Sequence, residues 1–253
     1  MTRIILSGAC GRMGRAIYRL TEKNDTVTVV AGVDLFGKTY AEFPVYNAWT
    51  DVTEDADVVV DFSNASAVDT GLLDYCVEKK LPLVLATTGH SAEQLARIAD
   101  AQEKIALFRS ANMSMGVNLL ADLIKRAASV LGEGYDVEII EKHHNQKLDA
   151  PSGTALMLAD ELKKALPYEA EYCYDRYERR EKRPAHEIGI HAVRGGTIVG
   201  EHEILFCGPD EVIEIKHSAL TREAFASGAV KAAAFLAGKP AGAYSMKDLL
   251  AGI

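Results

Sequence analysis

Short runs of aliphatic and β-branched residues alternate with helical stretches through the first half of the chain. The runs are bounded by glycine or polar residues, which predicts buried strands, and the stretches between them repeat apolar residues at helical spacing. The predicted strands cover residues 3–6, 26–33, 58–62, 83–86 and 105–108, and the predicted helices cover 12–21, 65–80 and 91–101. This alternation predicts an α/β fold, a Rossmann-type doubly wound parallel sheet with helices on both faces.

The second half of the chain has a different pattern. Helices are predicted at 116–131 and 154–165, with a strand at 136–142 between them, and three strands then follow without intervening helices, at 187–194, 197–206 and 211–218. Glycine-rich turns join these three strands, at Gly195-Gly196 and Gly208-Pro209-Asp210. The pattern predicts a second domain of α+β type, built on an open, mixed and largely antiparallel sheet.

An alanine-rich helix is predicted at residues 221–237 and ends before Gly238 and Pro240. We expect it to return to the first domain, although the pattern alone would equally let it pack on the second. The predicted divisions are therefore 1–114 for dinucleotide binding, 115–220 for substrate binding and oligomerisation, and 221–253 for the returning helix.

The net charge and the cysteine content of the chain limit the kinds of ligand that it is expected to bind. The 253 residues carry a formal net charge of −8, so the chain has no basic excess with which to bind nucleic acid or an anionic membrane, and a small molecule is the expected ligand. The apolar run at residues 4–6 is too short for a signal peptide or a membrane span, so we expect a cytoplasmic protein. Reduced thiols and no structural metal are expected, because the four cysteines lie far apart: Cys10, Cys76, Cys173 and Cys207.

A glycine-rich loop, GACGRMG, follows the first predicted strand and precedes the first helix. Gly8, Gly11 and Gly14 give the spacing Gly-x-x-Gly-x-x-Gly, a variant of the dinucleotide fingerprint, in which the turn is tight and the backbone approaches the pyrophosphate. Asp34 ends the second strand, where an acidic side chain can accept hydrogen bonds from the adenosine ribose. The pattern predicts a dinucleotide site, and the alternative is a glycine-rich turn without a ligand.

The segment at residues 141–154 places two imidazoles, an ammonium group, two hydroxyls and a helix start close together. Adjacent side chains on an extended backbone point to opposite faces, so His143 and His144 are not expected to bind one metal ion. One ring would instead face the reacting centre, and the other would support the loop or a substrate carboxylate. Residues 152–154 resemble a helix N-cap, whose N–H groups suit a carboxylate, and the alternative is a surface loop with a plain cap.

The chain resembles the dihydrodipicolinate reductase family, also called 4-hydroxy-tetrahydrodipicolinate reductase. The resemblance covers essentially the whole sequence, and the longest motif is highly specific. The motifs that carry it are GACGRMG, VVVDFSNASA, ATTGH, SANMSMGVN, EIIEKHHNQKLDAPSGTA, VRGGTIVGEH and ASGAV.

The resemblance implies the roles of individual residues. The acid–base work falls to His143 and Lys147, and the substrate is held by His144, Gly153 and Thr154, to which the cap motif adds Ser152. The implied coenzyme contacts are Gly8, Ala9, Cys10, Gly11, Arg12, Met13, Asp34, Ala86, Thr87, Thr88, Ser110, Ala111, Asn112 and Met113.

The resemblance also implies a reaction and an assembly. NADH or NADPH would deliver hydride to carbon 4 of a cyclic imine dicarboxylate in lysine and diaminopimelate biosynthesis. Charge would develop towards the ring nitrogen, where His143 and Lys147 are the available proton donors. The second domains would pack their open sheets together in a homotetramer, which would cover the strands from residue 187 onward.

Two positions depart from the family. Many members have arginine after the acidic residue of the second strand, where this chain has Leu35, and Gln146 stands in place of a second loop histidine. Asp34 repels a 2′-phosphate, and Leu35 cannot offset that repulsion. Lys38 is the nearby cation that can reach the phosphate, so we predict that both coenzymes are used and that NADH is preferred.

Two other classes of protein share some of these features. An amino-acid or homoserine dehydrogenase of the same build would share the coenzyme loop but would have no reason to carry HHNQK followed by DAPSGT. A regulator that senses nucleotide without turnover would keep the loop but would not need Lys147. A coenzyme absorbance assay with the dicarboxylate substrate separates these alternatives.

Overall fold

The computed structural model describes residues 1–252. The chain forms two compact units, one containing residues 1–115 and the chain from Arg222 onward, and the other containing residues 116–221. The predicted divisions, after residues 114 and 220, each lie one residue from these limits. No helix among residues 1–252 is long and apolar enough to cross a membrane.

The first unit contains a seven-stranded sheet in which every pair of neighbouring strands is parallel. In chain order its strands are β1 (Thr2–Ser7), β2 (Val27–Val33), β3 (Val45–Tyr46), β4 (Val58–Asp61), β5 (Leu83–Leu85), β6 (Ala106–Arg109) and, late in the chain, β12 (Gly242–Tyr244). The spatial order is β12-β6-β5-β4-β1-β2-β3. The chain therefore reverses its direction of winding between β1 and β4, where open α/β sheets bind ligands.

Helices cover both faces of this sheet. They are α1 (Arg12–Thr21), α2 (Leu72–Lys79), α3 (Ala92–Gln102), α6 (Glu223–Leu236) and α7 (Met246–Ala251), with short 3-10 helices at Trp49–Asp51 and Ala65–Val68. Ile4 and Leu6 of β1 pack with α1, α6 and α7, whereas Ile5 packs with α2 and α3. This alternation along the buried part of β1 confirms the predicted doubly wound α/β fold.

Three features of this unit differ from the pattern. The helix predicted at 65–80 is divided, because Gly71 adopts a φ of 101° between the 3-10 helix and α2. The short strands β3 and β12 and the helix α7 were not predicted. Each is too short to show a periodic pattern of its own, and each is stabilised by an adjacent element of the unit.

The second unit contains a five-stranded mixed sheet with the order β11-β10-β7-β9-β8. Its strands are β7 (Asp136–His143), β8 (Glu171–Cys173), β9 (Glu187–Arg194), β10 (Gly200–Cys207) and β11 (Val212–Ala219), and its helices are α4 (Met115–Leu131), which begins at the boundary, and α5 (Gly153–Ala165), with a 3-10 helix at Gly132–Gly134. One face packs on α4 and α5 through a core that includes Ile139, Leu158 and Ile204.

The mixed sheet was predicted, but the order of the strands within it was not. The turn at Gly195-Gly196 does not form a hairpin, because β7 lies between β9 and β10, parallel to β9 and antiparallel to β10. The turn after Cys207 does form one, since β10 and β11 pair antiparallel. The alternating pattern of a strand shows which face is buried but not which strand lies beside it, and β8 was not predicted at all.

The alternation of buried and partly exposed residues along β7 positions the candidate site that the sequence predicts at residues 141–154. Val137, Ile139, Glu141 and His143 are buried, and the residues between them are partly exposed. In the sheet register, Glu141 lies opposite His202 of β10, and His143 lies beside Arg194 of β9. Polar residues therefore meet at one end of the buried face of this sheet.

Candidate active site

The glycine loop of the first unit is a tight backbone turn at the carboxyl end of β1. Gly8 has a φ of 75°, and a Cβ atom there would lie 2.8 Å from the carbonyl oxygen of Phe62. A Cβ atom on Gly14 would lie 2.5 Å from the carbonyl oxygen of Ala9. Helix α1 begins at Arg12 without a side-chain cap on its N-cap residue, Gly11, so the first turn presents backbone N–H groups that can bind an anion. This cradle fits a dinucleotide pyrophosphate.

Asp34 lies beside the loop at the end of β2. Its carboxylate accepts hydrogen bonds from the backbone N–H groups of Cys10, at 3.1 Å, and Phe36, at 3.3 Å. A cleft of about 240 Å³ opens beside it. The lining includes Gly8, Gly11, Asp34, Leu35, Phe62, Ser63, Asn64 and Ser66. The cleft joins the loop and the acidic residue, as a dinucleotide site requires.

Asp61, which the sequence analysis did not select, is a fully buried carboxyl group at the end of β4. It accepts hydrogen bonds from Ser63 Oγ and Thr87 Oγ1, each at 2.5 Å. Burial raises its pKa against the effect of these hydroxyl donors. Asp61 thereby fixes the residues that follow β4 and β5. Its motif, VVVDFSNASA, was quoted for the resemblance, but a lone aspartate after a strand gave no further signal.

The other implied coenzyme residues follow strands of the same sheet. Residues 86–88 follow β5 and residues 110–113 follow β6, so they lie at the same carboxyl edge as the glycine loop. Ala9 and Met113 are at most 2% exposed and belong to the core, so their side chains are not presented to a ligand. Lys38 is exposed, and its carbonyl oxygen accepts a hydrogen bond from Cys10 Sγ at 3.5 Å.

In the second unit, His143 belongs to a buried hydrogen-bonded cluster. Its Nδ1 atom lies 2.6 Å from Glu141 Oε2, and Glu141 is fully buried. Arg194 contacts the same carboxylate with both terminal nitrogens, at 2.8 and 2.7 Å. The backbone N–H of Ser152 donates to Glu141 Oε1 at 3.0 Å. These residues form the Glu141 cluster, which links β7, β9 and the start of α5.

The electrostatics of the Glu141 cluster follow from burial and pairing. Burial opposes ionisation of Glu141, but hydrogen bonds from Arg194, His143 and Ser152 outweigh it and hold its pKa below its usual range. Burial lowers the pKa of His143, and the adjacent Glu141 carboxylate opposes that effect. Burial also lowers the pKa of His202 to about 4, so this ring is neutral near pH 7.

Lys147 and the start of α5 lie in the same unit. Lys147 Nζ pairs with Asp149 Oδ1 at 2.8 Å. This hydrogen bond lowers the pKa of Asp149, and the backbone N–H of Gly153 contributes in the same direction. Ser152 caps α5, because its Oγ atom accepts from the backbone N–H of Ala155 at 3.1 Å. An anionic carboxylate of this chain therefore already interacts with the Lys147 ammonium and the first turn of α5.

The remaining predicted substrate residues differ in exposure. Ser152 is 2% exposed, and its Oγ atom also lies 3.1 Å from His202 Nε2. Gly153 is exposed, and His144 and Thr154 are partly exposed. Glu141, Arg194 and His202 were not selected from the sequence, although all three lie in motifs quoted for the resemblance. The proximity of the three depends on the sheet register, which the sequence does not show.

A Rossmann-type parallel sheet with a glycine cradle, together with a second unit on a mixed sheet, defines the two-domain class of dinucleotide-binding reductases. A solved structure of this class, a dihydrodipicolinate reductase from Paenisporosarcina sp. TG-14 with dipicolinate bound, is 27% identical to this chain and has a TM-score of 0.80. The match covers 97% of both chains.

The family models are more specific. The model described as dihydrodipicolinate reductase, N-terminus, matches residues 2–113, and that for the C-terminus matches residues 116–250. The 4-hydroxy-tetrahydrodipicolinate reductase of Caldanaerobacter subterraneus subsp. tengcongensis is 53% identical, over 99% of this chain and 98% of its own length. That of Clostridium tetani is 49% identical, over 99% and 97%. The chain belongs to the dihydrodipicolinate reductase family, which confirms the resemblance.

Proposed function

We propose that this chain reduces 4-hydroxy-tetrahydrodipicolinate to tetrahydrodipicolinate with NAD(P)H, a step in lysine and diaminopimelate biosynthesis. Membership of the family over nearly the full chain carries the proposal. The glycine cradle and the Glu141 cluster add chemical support, because one suits a dinucleotide and the other presents proton donors.

The proposed chemistry places acid–base work on His143 and Lys147. When bound, a dihydronicotinamide would supply the hydride to carbon 4 of the substrate ring once the 4-hydroxyl has left as water. Protonation of the ring nitrogen would then give an enamine that tautomerises to the imine product. His143 is held by Glu141, and Lys147 is 21% exposed and paired with the more exposed Asp149. A proton donor or a cation at the nitrogen stabilises the charge that develops in the transition state.

The substrate carboxylate is proposed to bind at the start of α5. Asp149 supports this assignment, because its carboxylate interacts with Lys147 Nζ and the backbone N–H of Gly153. These donors therefore suit a carboxylate, and Gly153, Thr154 and His144 are proposed to contact that of the substrate. Ser152 would contribute by holding the helix start, since its hydroxyl is buried in the cap.

We further propose that both NADH and NADPH are used and that NADH is preferred. Asp34 is the acidic residue beside the cleft, and the next residue is Leu35, which carries no charge for a 2′-phosphate. The exposed Lys38 supplies partial compensation as a flexible point charge. The proposed coenzyme contacts are those given by the family pattern at residues 8–13, 34, 86–88 and 110–113.

A homotetramer is proposed from the open sheet of the second unit. β11 lies at the edge of this sheet and is paired only with β10 among the described residues, and its Val212 is 54% exposed. Edge strands of this kind favour pairing or coverage by another chain. Light scattering is expected to show about four times the 27.4 kDa chain mass. A stable monomer at micromolar concentration would contradict the assembly.

The reaction is tested by mixing the purified chain with NADH or NADPH and freshly generated substrate, and by following the fall in coenzyme absorbance. We expect turnover with the cyclic dicarboxylate and none with aspartate semialdehyde or an amino acid in its place. Coenzyme binding without turnover would favour the nucleotide sensor. Turnover of an open-chain amino acid would favour the alternative dehydrogenase.

A further inference from the structure

The Glu141 carboxylate accepts four hydrogen bonds on two oxygens. Oε1 accepts from Arg194 Nη2 at 2.7 Å and from the Ser152 backbone N–H at 3.0 Å. Oε2 accepts from Arg194 Nη1 at 2.8 Å and faces His143 Nδ1 at 2.6 Å. A buried carboxylate with a bidentate guanidinium and a backbone N–H remains ionised, and an ionised carboxylate can only accept.

This geometry decides which nitrogen of His143 carries the proton. Because Glu141 is an acceptor, Nδ1 must donate to it in both the neutral and the protonated ring. In the neutral ring, Nε2 is then the unprotonated nitrogen. In the protonated ring, Nε2 carries the proton that can leave while the Nδ1 hydrogen bond stays intact.

The neighbouring strand leaves space beside Nε2. A Cβ atom on Gly200 of β10 would lie 3.1 Å from His143 Nε2, which is closer than ordinary van der Waals contact. His202, two residues further along β10, packs edge to face on His143 with ring centroids 5.3 Å apart. The Nε2 atom of His202 lies 3.1 Å from Ser152 Oγ. It therefore does not compete with Glu141 as the acceptor for His143 Nδ1.

We propose that Glu141 and Arg194 are positioning residues for His143. Glu141 keeps the proton of the neutral ring on Nδ1, Arg194 holds Glu141 ionised and in place, and Nε2 is the atom that gives a proton to the substrate nitrogen. After the transfer, His143 is neutral with Nδ1 still protonated, and solvent returns the proton to Nε2. This inference rests on the proposed reductase function and adds two residues and one atom to it.

Charged and titratable groups reach His143 from three directions. Glu141 lies on its own strand and raises the pKa of His143, whereas burial, Lys147 and Arg194 lower it. His202 faces it from β10 and is neutral near pH 7, since burial lowers its pKa to about 4. Asp149 affects His143 indirectly, because it forms an ion pair with Lys147. Glu141 and Arg194 therefore act on His143 in opposite directions.

These opposite directions provide the test. His143 acts as an acid, so kcat falls as pH rises through the pKa of His143. Glu141→Gln removes the group that raises this pKa, so the basic limb of the kcat profile should move to lower pH, with kcat at the optimum reduced at least about tenfold. Arg194→Gln removes a group that lowers the pKa, so the limb should move to higher pH.

Nitrogen NMR of ring-labelled protein gives a readout that does not depend on activity. The neutral His143 ring should be the Nδ1–H tautomer in the wild type and a mixture of tautomers in Glu141→Gln. Arg194→Lys keeps the positive charge but loses the bidentate guanidinium. The basic limb of its kcat profile should therefore stay near that of the wild type. Glu138→Gln is the matched control on β7, and it should shift neither the limb nor the His143 resonances.

The outcomes separate this inference from the proposed function. If the wild type does not turn over the substrate, the function fails, but the NMR titration still tests the tautomer and both directions of shift. If Glu141→Gln and Arg194→Gln move the pH limb in the same direction, or if neutral His143 is the Nε2–H tautomer in the wild type, the positioning role is wrong. For each variant, circular dichroism and coenzyme affinity should match those of the wild type, which excludes loss of structure as the cause of a shifted pH profile.

Discussion

Strand β7 carries a cluster of glutamate, arginine and histidine on each of its two faces. The Glu141 cluster joins a glutamate to Arg194 and His143, and the Glu138 cluster joins a glutamate to Arg183, Arg176 and His191. The two glutamates are three positions apart, an odd number, so they point to opposite sides of the sheet. The clusters contain the same kinds of side chain, but they differ in burial.

The difference in burial is large for the carboxylate and for the histidine. Glu141 is 0% exposed and His143 is 11% exposed, whereas Glu138 and His191 are 17% and 43% exposed. Pairing in low dielectric controls tautomer and proton affinity, whereas solvent weakens the same interactions at the surface. Residue type alone therefore does not distinguish His143, the proposed acid, from His191. The difference between them lies in their burial and their neighbours.

The largest expected effect separates the two histidines. His143→Ala should reduce kcat by at least about 10²-fold, since it removes a group that transfers a proton, and Lys147→Ala should have an effect of the same size. His191→Ala, in the Glu138 cluster, should leave kcat within about twofold of the wild type. Steady-state kinetics under saturating coenzyme measure all three. Near-normal turnover of both His143→Ala and Lys147→Ala would show that the acid–base assignment is wrong.

A smaller effect is expected at the start of α5. Thr154→Val keeps the shape of the side chain but removes the hydroxyl, so KM for the dicarboxylate should rise more than about tenfold. Coenzyme affinity, measured by fluorescence titration, should not change. An unchanged KM would show that the substrate carboxylate does not bind at the start of α5.

The coenzyme preference should respond to a residue outside both clusters. Lys38→Ala should lower kcat/KM for NADPH by roughly two- to fivefold and leave that for NADH unchanged, because an exposed cation contributes modestly to phosphate binding. The NADPH effect should weaken as salt is added. A clear NADPH preference that survives the substitution would show that another group binds the 2′-phosphate.

The smallest effect on activity is expected from Glu138→Gln, which should change kcat by less than about twofold. Burial disfavours the charge on Glu138, but hydrogen bonds from His191 and Arg183 hold its pKa below its usual 4.5. A lowered folded-state pKa contributes stability above the unfolded pKa and loses it as pH falls. The variant should therefore melt below the wild type at pH 7, with a difference that shrinks below about pH 4.5. A constant difference at every pH would contradict this.

Much of the first unit could be predicted from the sequence because its information is local. A buried parallel strand is a continuous apolar run, and the glycine loop is a short turn between a strand and a helix that are adjacent in the chain. The interruption at Gly71 and the short strands β3 and β12 were missed for the opposite reason. Two or three residues form a strand only when an existing sheet offers them an edge.

The sequence by itself determined the family and the doubly wound sheet and gave the candidates for the reactive side chains, since these depend on motifs and on periodicity within single segments. The tertiary structure decided that β7 lies between β9 and β10, and with it that His143 meets Arg194 and that Glu141 meets His202. The members of each pair are more than 50 positions apart in the chain. Strand register is set by the burial of whole faces, and this register brings Arg194 to the Glu141 carboxylate that faces Nδ1 of His143.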